Sequence, residues 1–234
     1  MSTMPNAASP AALPRRDQIR REAARLFAAR GFQGVSVDEI GEAVGISGPA
    51  LYRHFPGKDA MLADLLVGIS ERLLAEGRRR VAAGRETGAA GALDDLITGH
   101  VDFALDDRDL ITLHDRELLH LKEEDRHNVR RLQRGYVELW VEEVRRAYPA
   151  LAGAAAEPVA RATVHAVFGL INSTPHSAGP PVVDGERVGL SRVGMAALLS
   201  RLARGAFAAG AGAGVSVSTS TSALEEVPQN PPLR

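Results

Sequence analysis

Cations are concentrated at the start of the sequence, up to Lys58. This stretch carries eight basic side chains against five acidic ones, whereas the rest of the chain carries 20 against 24. A basic segment on a mildly acidic body favours an anionic partner for that segment, although a solvated arginine-rich helix face has the same composition. The eight cations are Arg15, Arg16, Arg20, Arg21, Arg25, Arg30, Arg53 and Lys58.

The sequence has few of the residue patterns that enzymes use for catalysis. The chain has no cysteine, which excludes disulfides, thiolate metal ligands and cysteine nucleophiles. It lacks a glycine-rich phosphate loop and a Gly-x-Ser-x-Gly nucleophile elbow. Neither His-Glu-x-x-His nor paired Glu-x-x-His spacing occurs at His114, His120, His165 and His176. We therefore expect no enzymatic activity, no metal site and no cofactor.

The elements that must position these side chains are helices. Alanine, leucine and arginine abound and aromatic residues make up only 4%, which favours an all-α fold. No apolar run approaches the roughly 18–20 residues that a membrane span needs. Apolar spacing and helix-end signals predict helices at 14–30, 37–44, 48–55, 58–81, 93–106, 108–121, 123–147, 158–172 and 190–209.

Composition divides the chain into four parts. Residues 1–12 and 210–234 are rich in Pro, Ser, Thr, Gly and Ala without periodicity, and both are predicted to be disordered tails. Between them we expect a small N-terminal domain at 13–73 and a larger helical domain at 74–209, with a loop at 173–189. The first residues have no secretory signal, so a cytoplasmic location is expected.

Two short predicted helices have the spacing of a helix-turn-helix at 36–55. Ser36 and Glu39 form a capping-box pair that begins the first helix. Gly45 permits the positive φ of a tight turn, and Ser47 can cap the second helix. The side chains that can lock the two helices together are Ile40, Val44, Ile46 and Leu51.

Several stretches in and around this unit form a recognisable pattern. They are Gly31-Phe32, Val35-Ser36-Val37-Asp38-Glu39-Ile40, Val44-Gly45-Ile46-Ser47, Leu51-Tyr52-Arg53-His54-Phe55, Lys58 and Leu62. In order and register they closely resemble the N-terminal signature of the TetR family of helix-turn-helix transcriptional regulators. The resemblance covers about residues 13–73, and past residue 85 it fades to a helix count that fits the family's C-terminal ligand-binding and dimerisation domain.

The resemblance implies a homodimer bound to double-stranded DNA, with each recognition helix, here 48–54, in the major groove. A two-fold dimer calls for a palindromic operator, and the protein is then associated with the nucleoid. The residues expected to contact phosphates are Tyr52, His54 and Lys58. Those expected near the bases are Ser47, Gly48, Ala50 and Arg53, and Ser36 joins the DNA-contacting set.

The chain departs from the commonest family pattern at two glycines. Gly41 replaces a usual alanine in the first helix of the motif, which should weaken that helix slightly. Gly48 removes a side chain from a position that often contacts DNA. The operator sequence is therefore hard to deduce from the recognition helix.

Polar residues at helical spacing in the C-terminal domain could line a small-molecule cavity. Each could equally be a satisfied core residue, as a lone histidine on an apolar face usually is. The candidates are His114, Arg116, Leu118, Trp140, His165, Phe168 and Asn172. The arginines near this set, notably Arg116, suggest acyl-CoA or another hydrophobic acid as the ligand.

Small residues fill the last two predicted helices, 158–172 and 190–209. Small side chains let helices approach closely, so these helices could form a four-helix interface between two protomers. The sequence thus predicts a ligand-responsive DNA-binding regulator. We expect a repressor that a small-molecule inducer releases from its operator, but this expectation rests only on what is usual in the family. The alternatives are a ligand-independent DNA-binding protein and, as the weakest, a small helical enzyme.

Overall fold

The fold is all-α apart from one pair of very short strands, within residues 13–174, 182–183, 186–187 and 189–213, which the computed structural model describes. No helix among these residues is long and apolar enough to cross a membrane. The helices are α1 (Arg15–Arg30), α2 (Val37–Ala43), α3 (Gly48–Tyr52), α4 (Lys58–Gly84), α5 (Ala89–Asp106), α6 (Arg108–Glu117), α7 (Glu123–Ala147), α8 (Glu157–Asn172) and α9 (Arg192–Gly212). The 3₁₀ turns are Arg85–Thr87, Leu118–His120, Pro149–Leu151 and Ala154–Ala156.

Helix ends in the N-terminal domain follow the local sequence. Gly31 ends α1 with a φ of 77°, a conformation that glycine adopts without strain. The capping box at Ser36 begins α2. Helix α3 ends at Tyr52, three residues earlier than predicted. Pro56 disfavours helical backbone at the residue before it, Phe55, which excludes that residue from the helix.

The junction between α4 and α5 is shorter than predicted. A link over 82–92 was expected, but α4 runs to Gly84 and α5 already begins at Ala89. The two helices pack directly on each other here, because a Cβ atom at Gly84 would lie 2.6 Å from the Cα atom of Ala92. Most of the alanine-rich stretch over 82–92 is therefore helical and does not form a linker.

The end of the chain also differs from expectation. Helix α9 continues to Gly212, so the first residues assigned to the C-terminal tail are helical. The expected loop at 173–189 contains the antiparallel strands β1 (Val182–Val183) and β2 (Glu186–Arg187). The predicted tail residues 1–12 and 214–234 lie outside the described part of the chain.

Two hydrophobic cores are joined by the long helix α4. Its first half, including Leu62 and Leu66, belongs to a core formed with α1, α2 and α3, to which α6 and α7 add Leu113 and Val129. Its second half, including Leu74 and Val81, belongs to a core formed with α5, α7, α8 and α9. Residue 73, the predicted domain boundary, lies between these halves, and the division itself stays a prediction. A rigid helix shared by two cores can transmit a change in one to the other.

Candidate DNA interface and ligand cavity

Helices α2 and α3 form a helix-turn-helix. Gly45 has a φ of 70° in the connecting turn, where it avoids the steric cost that a side chain would add. The N–H of Ile46 donates to the carbonyl of Gly41 over 2.9 Å. The side chains of Ile40 and Leu51 are completely buried between the helices and α1. Local turn chemistry and apolar packing thus fix the angle of the motif.

Gly41 and Gly48, the two departures from the family pattern, lie where α2 and α3 come closest. A Cβ atom at Gly41 would lie 2.9 Å from the carbonyl oxygen of Ile46. One at Gly48 would lie 2.7 Å from Oδ1 of Asp38. Gly41 therefore has a packing role against the backbone of the turn that sequence alone did not indicate, whereas the Asp38 side chain near Gly48 can move aside.

The predicted capping box is present at the start of α2. The N–H of Glu39 donates to Ser36 Oγ over 3.2 Å, and the N–H of Ser36 donates to the Glu39 carboxylate over 2.7 Å. Arg30 pairs with the same carboxylate at 2.7 Å. The backbone N–H of Ser36 and then Arg30 lower the pKa of Glu39 to about 2. The hydroxyl of Ser36 is also engaged with this carboxylate, so its first role is to hold α2.

The outer face of α3 is open to solvent. Tyr52 is 54% exposed, and Arg53 is exposed without an ion pair or hydrogen bond to any described residue. Ser47 is exposed as well and begins α3, but its hydroxyl makes no capping bond, contrary to the prediction. Pro49 removes one of the two backbone N–H groups that such a hydroxyl can bind. Gly48, Ala50 and His54 are partly exposed.

Lys58 is less free than the resemblance implies. Its ammonium donates to the carbonyls of Phe32 and Val35 over 3.1 and 3.2 Å and lies 4.6 Å from the centre of the Phe32 ring. An ammonium has three donors, so one remains for a phosphate. Lys58 therefore ties the start of α4 to the segment before α2. Arg16 similarly donates to the His54 carbonyl over 2.7 Å.

A cavity of about 440 Å³ lies in the C-terminal domain, enclosed by α4, α5, α6, α7 and α8. This volume is in the range of small-molecule sites. The lining is mainly apolar, with a few polar groups and with arginines at its exposed edge. The side chains that form its walls include Ile69, Leu73, His100, Phe103, Leu110, Ile111, His114, Gln133, Tyr136, Val137, His165, Phe168 and Asn172.

His100 is the buried polar centre of this cavity. Its ring stacks on Phe168 with centroids 4.7 Å apart, and Nδ1 lies 3.3 Å from the hydroxyl of Tyr136. Burial lowers the pKa of His100 to about 4, although the side chain of Asn172 opposes the change. Burial also raises the pKa of Tyr136. Both groups are therefore neutral near pH 7, and Tyr136 can donate to the imidazole.

Comparison with known proteins identifies the family. Residues 19–65 match the family described as "Bacterial regulatory proteins, tetR family". Residues 86–176 match "Tetracyclin repressor-like, C-terminal domain". The chain belongs to the TetR family. These two matches cover both the helix-turn-helix and most of the cavity, and they place the protein among transcriptional regulators rather than enzymes.

Individual relatives agree with this TetR-family assignment. The chain is 30% identical over 128 residues to the HTH-type transcriptional repressor KstR2 of Rhodococcus jostii (strain RHA1), a match covering 54% of this chain and only 62% of that one. A TetR-family regulator from Bordetella parapertussis 12822 has a TM-score of 0.68 at 23% identity, over 80% and 93% of the two chains. AibR in complex with isovaleryl coenzyme A and operator DNA has a TM-score of 0.62 at 19% identity, over 81% of this chain and 97% of that one. Both structural likenesses establish the fold alone.

Four of the seven predicted ligand contacts line the cavity of this TetR-family protein, namely His114, His165, Phe168 and Asn172. The other three do not. Trp140 is completely buried behind the wall, edge-on to Phe168 at 5.1 Å. Leu118 packs on the N-terminal core, and Arg116 is exposed on the face of α6 opposite His114.

The polar centre and the edge of the cavity were not predicted from the sequence. His100 carries no local signal, because its neighbours come from α7 and α8, far along the chain. Arg130 and Arg134 on α7 are exposed, and they also line the cavity edge. Their one-turn spacing with Val137 could have indicated a shared face.

Helices α8 and α9 present a surface of small and apolar residues. Leu198 is 37% exposed and Leu202 46%, although Leu199, Ala203 and Phe207 on the inner side of α9 are buried. A Cβ atom at Gly205 would meet no other described atom within 4 Å. This outer face is available to a second copy of the chain.

Proposed function

We propose that the protein is a ligand-responsive transcriptional repressor that binds a near-palindromic operator as a homodimer and leaves it when a small molecule fills the cavity. The observation that carries this proposal is the double role of α4. Its first half supports the helix-turn-helix, and its middle supplies Ile69, Ser70 and Leu73 to the cavity wall. The relatives support the proposal: one is named a repressor, and another was crystallised with isovaleryl coenzyme A and operator DNA.

DNA recognition is assigned to the exposed face of α3 and its surroundings. Among the described side chains of this face, Arg53 alone combines a free cation with the reach to hydrogen-bond a base edge. Tyr52 and His54 suit phosphate contacts, and Lys58 can add one through its remaining donor. Ser47, Gly48 and Ala50 are small and let the backbone of α3 approach the bases. Ser36, at the start of α2, is the remaining residue assigned to the DNA interface.

The homodimer and the inducer follow from the C-terminal domain. The outer faces of α8 and α9 supply the interface, and the dimer places two recognition helices roughly 34–36 Å apart, one turn of DNA. An inducer that tilts α4 changes this spacing. To lower the DNA-binding state from 99% to 1% of the dimers, the inducer must bind the other state more tightly by about 5.5 kcal/mol. A ligand-independent DNA binder, the alternative, gives the cavity no role.

Titration of fluorescent duplexes with the full chain tests the proposal. The duplexes are DNA from upstream of the protein's own gene and shuffled sequences of the same composition, at two salt concentrations. We expect a preference for a near-palindromic site of at least about a thousandfold, as for specific regulators. Equal affinity for native and shuffled duplexes at both salt concentrations would refute the proposal.

A further inference from the structure

Two arginines at the edge of the cavity have no counter-charge among the described residues. Arg130 and Arg134 lie one turn apart on α7, are exposed, and make no ion pair or hydrogen bond with any described residue. Arg161, at the same edge, differs because it pairs with Glu138 at 2.7 Å and with Glu157 at 2.6 Å. The edge therefore holds two unpaired guanidinium groups beside a satisfied ion-pair network.

The charges lining the cavity favour an anion. Three arginines and one glutamate line it, which leaves a surplus of two positive charges when the histidines are neutral. Guanidinium groups bind carboxylate and phosphate oxygens through paired, charge-assisted hydrogen bonds. Adjacent unpaired arginines repel each other, and an anion between them relieves that repulsion.

The interior of the cavity selects a different part of the ligand. Ile69, Leu73, Phe103 and Ile111 make its walls apolar. His100, at the buried end, is neutral near pH 7, so nothing there compensates a buried charge. An unpaired charge in such a site is strongly unfavourable. A ligand's charged group must therefore stay at the arginines while its apolar part enters the cavity.

We propose that the inducer is an amphipathic organic anion, with its apolar part in the cavity and its carboxylate or phosphate group bound by Arg130 and Arg134. The inference rests on the proposed function only in taking this cavity as the inducer site. Two sources have this chemistry, a free alkyl carboxylate and a phosphate-bearing coenzyme A thioester. The polar end formed by His100, Tyr136 and Asn172 suits an uncharged oxygen, such as a carbonyl, on the apolar part.

Quenching of the fluorescence of Trp140, the chain's single tryptophan, reports binding because its ring contacts Phe168 in the cavity wall. The probes are octanoate, octanoyl coenzyme A, coenzyme A alone, and octanol as a neutral molecule of equal chain length. We expect at least one of the two octanoyl anions to bind about tenfold or more tightly than octanol, since a charge-assisted hydrogen bond is lost in the alcohol. Comparing octanoate with octanoyl coenzyme A separates the two sources.

The double variant Arg130→Gln/Arg134→Gln should weaken the preferred anion about tenfold or more and leave octanol binding unchanged. The matched control is Arg131→Gln, because Arg131 is on the same helix but hydrogen-bonds to Asn128 and does not line the cavity. Three results would overturn the proposal. They are equal affinity for octanol and both anions, unchanged anion affinity in the double variant, and no binding of either anion at millimolar concentration. Operator binding, measured in parallel without probes, tests the proposed function separately.

Discussion

The buried carboxylate of Glu117 accepts a hydrogen bond from the backbone N–H of Phe32 over 3.2 Å. Glu117 ends α6, which lines the cavity, whereas Phe32 lies between α1 and the helix-turn-helix. The other carboxylate oxygen lies 2.8 Å from Nδ1 of His120. Phe32 in turn accepts the hydrogen bond from Lys58 at the start of α4. A continuous chain of polar contacts therefore connects α6, through the segment between α1 and α2, to the start of α4.

Glu117→Ala should destabilise the protein by roughly 1–3 kcal/mol, because it leaves the buried N–H of Phe32 without an acceptor. Glu117→Gln keeps an oxygen acceptor and should cost less. Urea unfolding followed by circular dichroism measures both. Glu86→Ala, at an exposed residue near the end of α4, is the control and should stay within about 0.5 kcal/mol of the unaltered protein. Equal stability of Glu117→Ala and this control would show that the contact contributes nothing.

Arg53→Ala should separate DNA recognition from stability. The side chain is exposed and makes no ion pair or hydrogen bond with a described residue, so the free energy of unfolding should change by less than about 0.5 kcal/mol. Operator affinity should fall by roughly 1–3 kcal/mol, with relaxed discrimination at one base pair of each half-site. Anisotropy titration against operators altered one base pair at a time measures this loss. If discrimination is retained at every position, Arg53 contacts the backbone instead.

Lys58→Ala should lower both the stability of the protein and its affinity for DNA. It removes the hydrogen bonds to the carbonyls of Phe32 and Val35, which we expect to cost roughly 1–3 kcal/mol of stability. It should also make the dependence of operator affinity on salt shallower by about one unit of slope, equally for all sequences. Chemical unfolding and titration at four salt concentrations give the two quantities. A stability loss with an unchanged salt slope would leave Lys58 a structural residue only.

The helix-turn-helix was predictable because its signals are local. A capping box, a glycine in the turn and apolar side chains at helical spacing each act within a few residues, and all appear in the structure at Ser36, Gly45, Ile40 and Leu51. The tight packing at Gly41 was not predictable, because it depends on where the carbonyl of a residue in the turn comes to lie.

The cavity was only half predictable. His165, Phe168 and Asn172 share one face of α8, and their spacing alone groups them. Which face of a helix points to a cavity depends on its neighbours, however. For that reason Trp140 was assigned to the cavity although it lies in the core, and His100 was missed although rings from α7 and α8 surround it.

Leu198→Arg should convert the dimer to monomers. Leu198 lies on the outer face of α9, where a second copy would bury it and an arginine would be left without a partner. Light scattering coupled to gel filtration should give about twice 24.8 kDa for the unaltered chain and close to 24.8 kDa for the variant. Leu119→Arg is the matched control, because Leu119 is 77% exposed but lies after α6, away from α8 and α9. Monomeric unaltered protein would contradict the proposed assembly.

Stability should fall as the pH drops from about 6.5, because of His100. Burial lowers the pKa of this imidazole from 6.5 to about 4 in the folded protein. Below pH 6.5 the unfolded chain therefore binds a proton at this position while the folded protein does not, which favours unfolding. The loss grows until the pH passes below about 4 and amounts to roughly 3 kcal/mol in total.

The variant His100→Phe isolates this contribution. Phenylalanine fills similar space beside Phe168 and does not titrate, so the unfolding free energy between pH 7 and pH 5 should decline less than in the unaltered protein. His127→Phe, at an exposed histidine of α7, should keep the full pH dependence. Urea unfolding at pH 7, 6 and 5 compares the three proteins. Identical slopes for His100→Phe and the unaltered chain would mean that His100 is protonated equally in the folded and unfolded states, and the buried neutral imidazole at the end of the cavity would have to be abandoned.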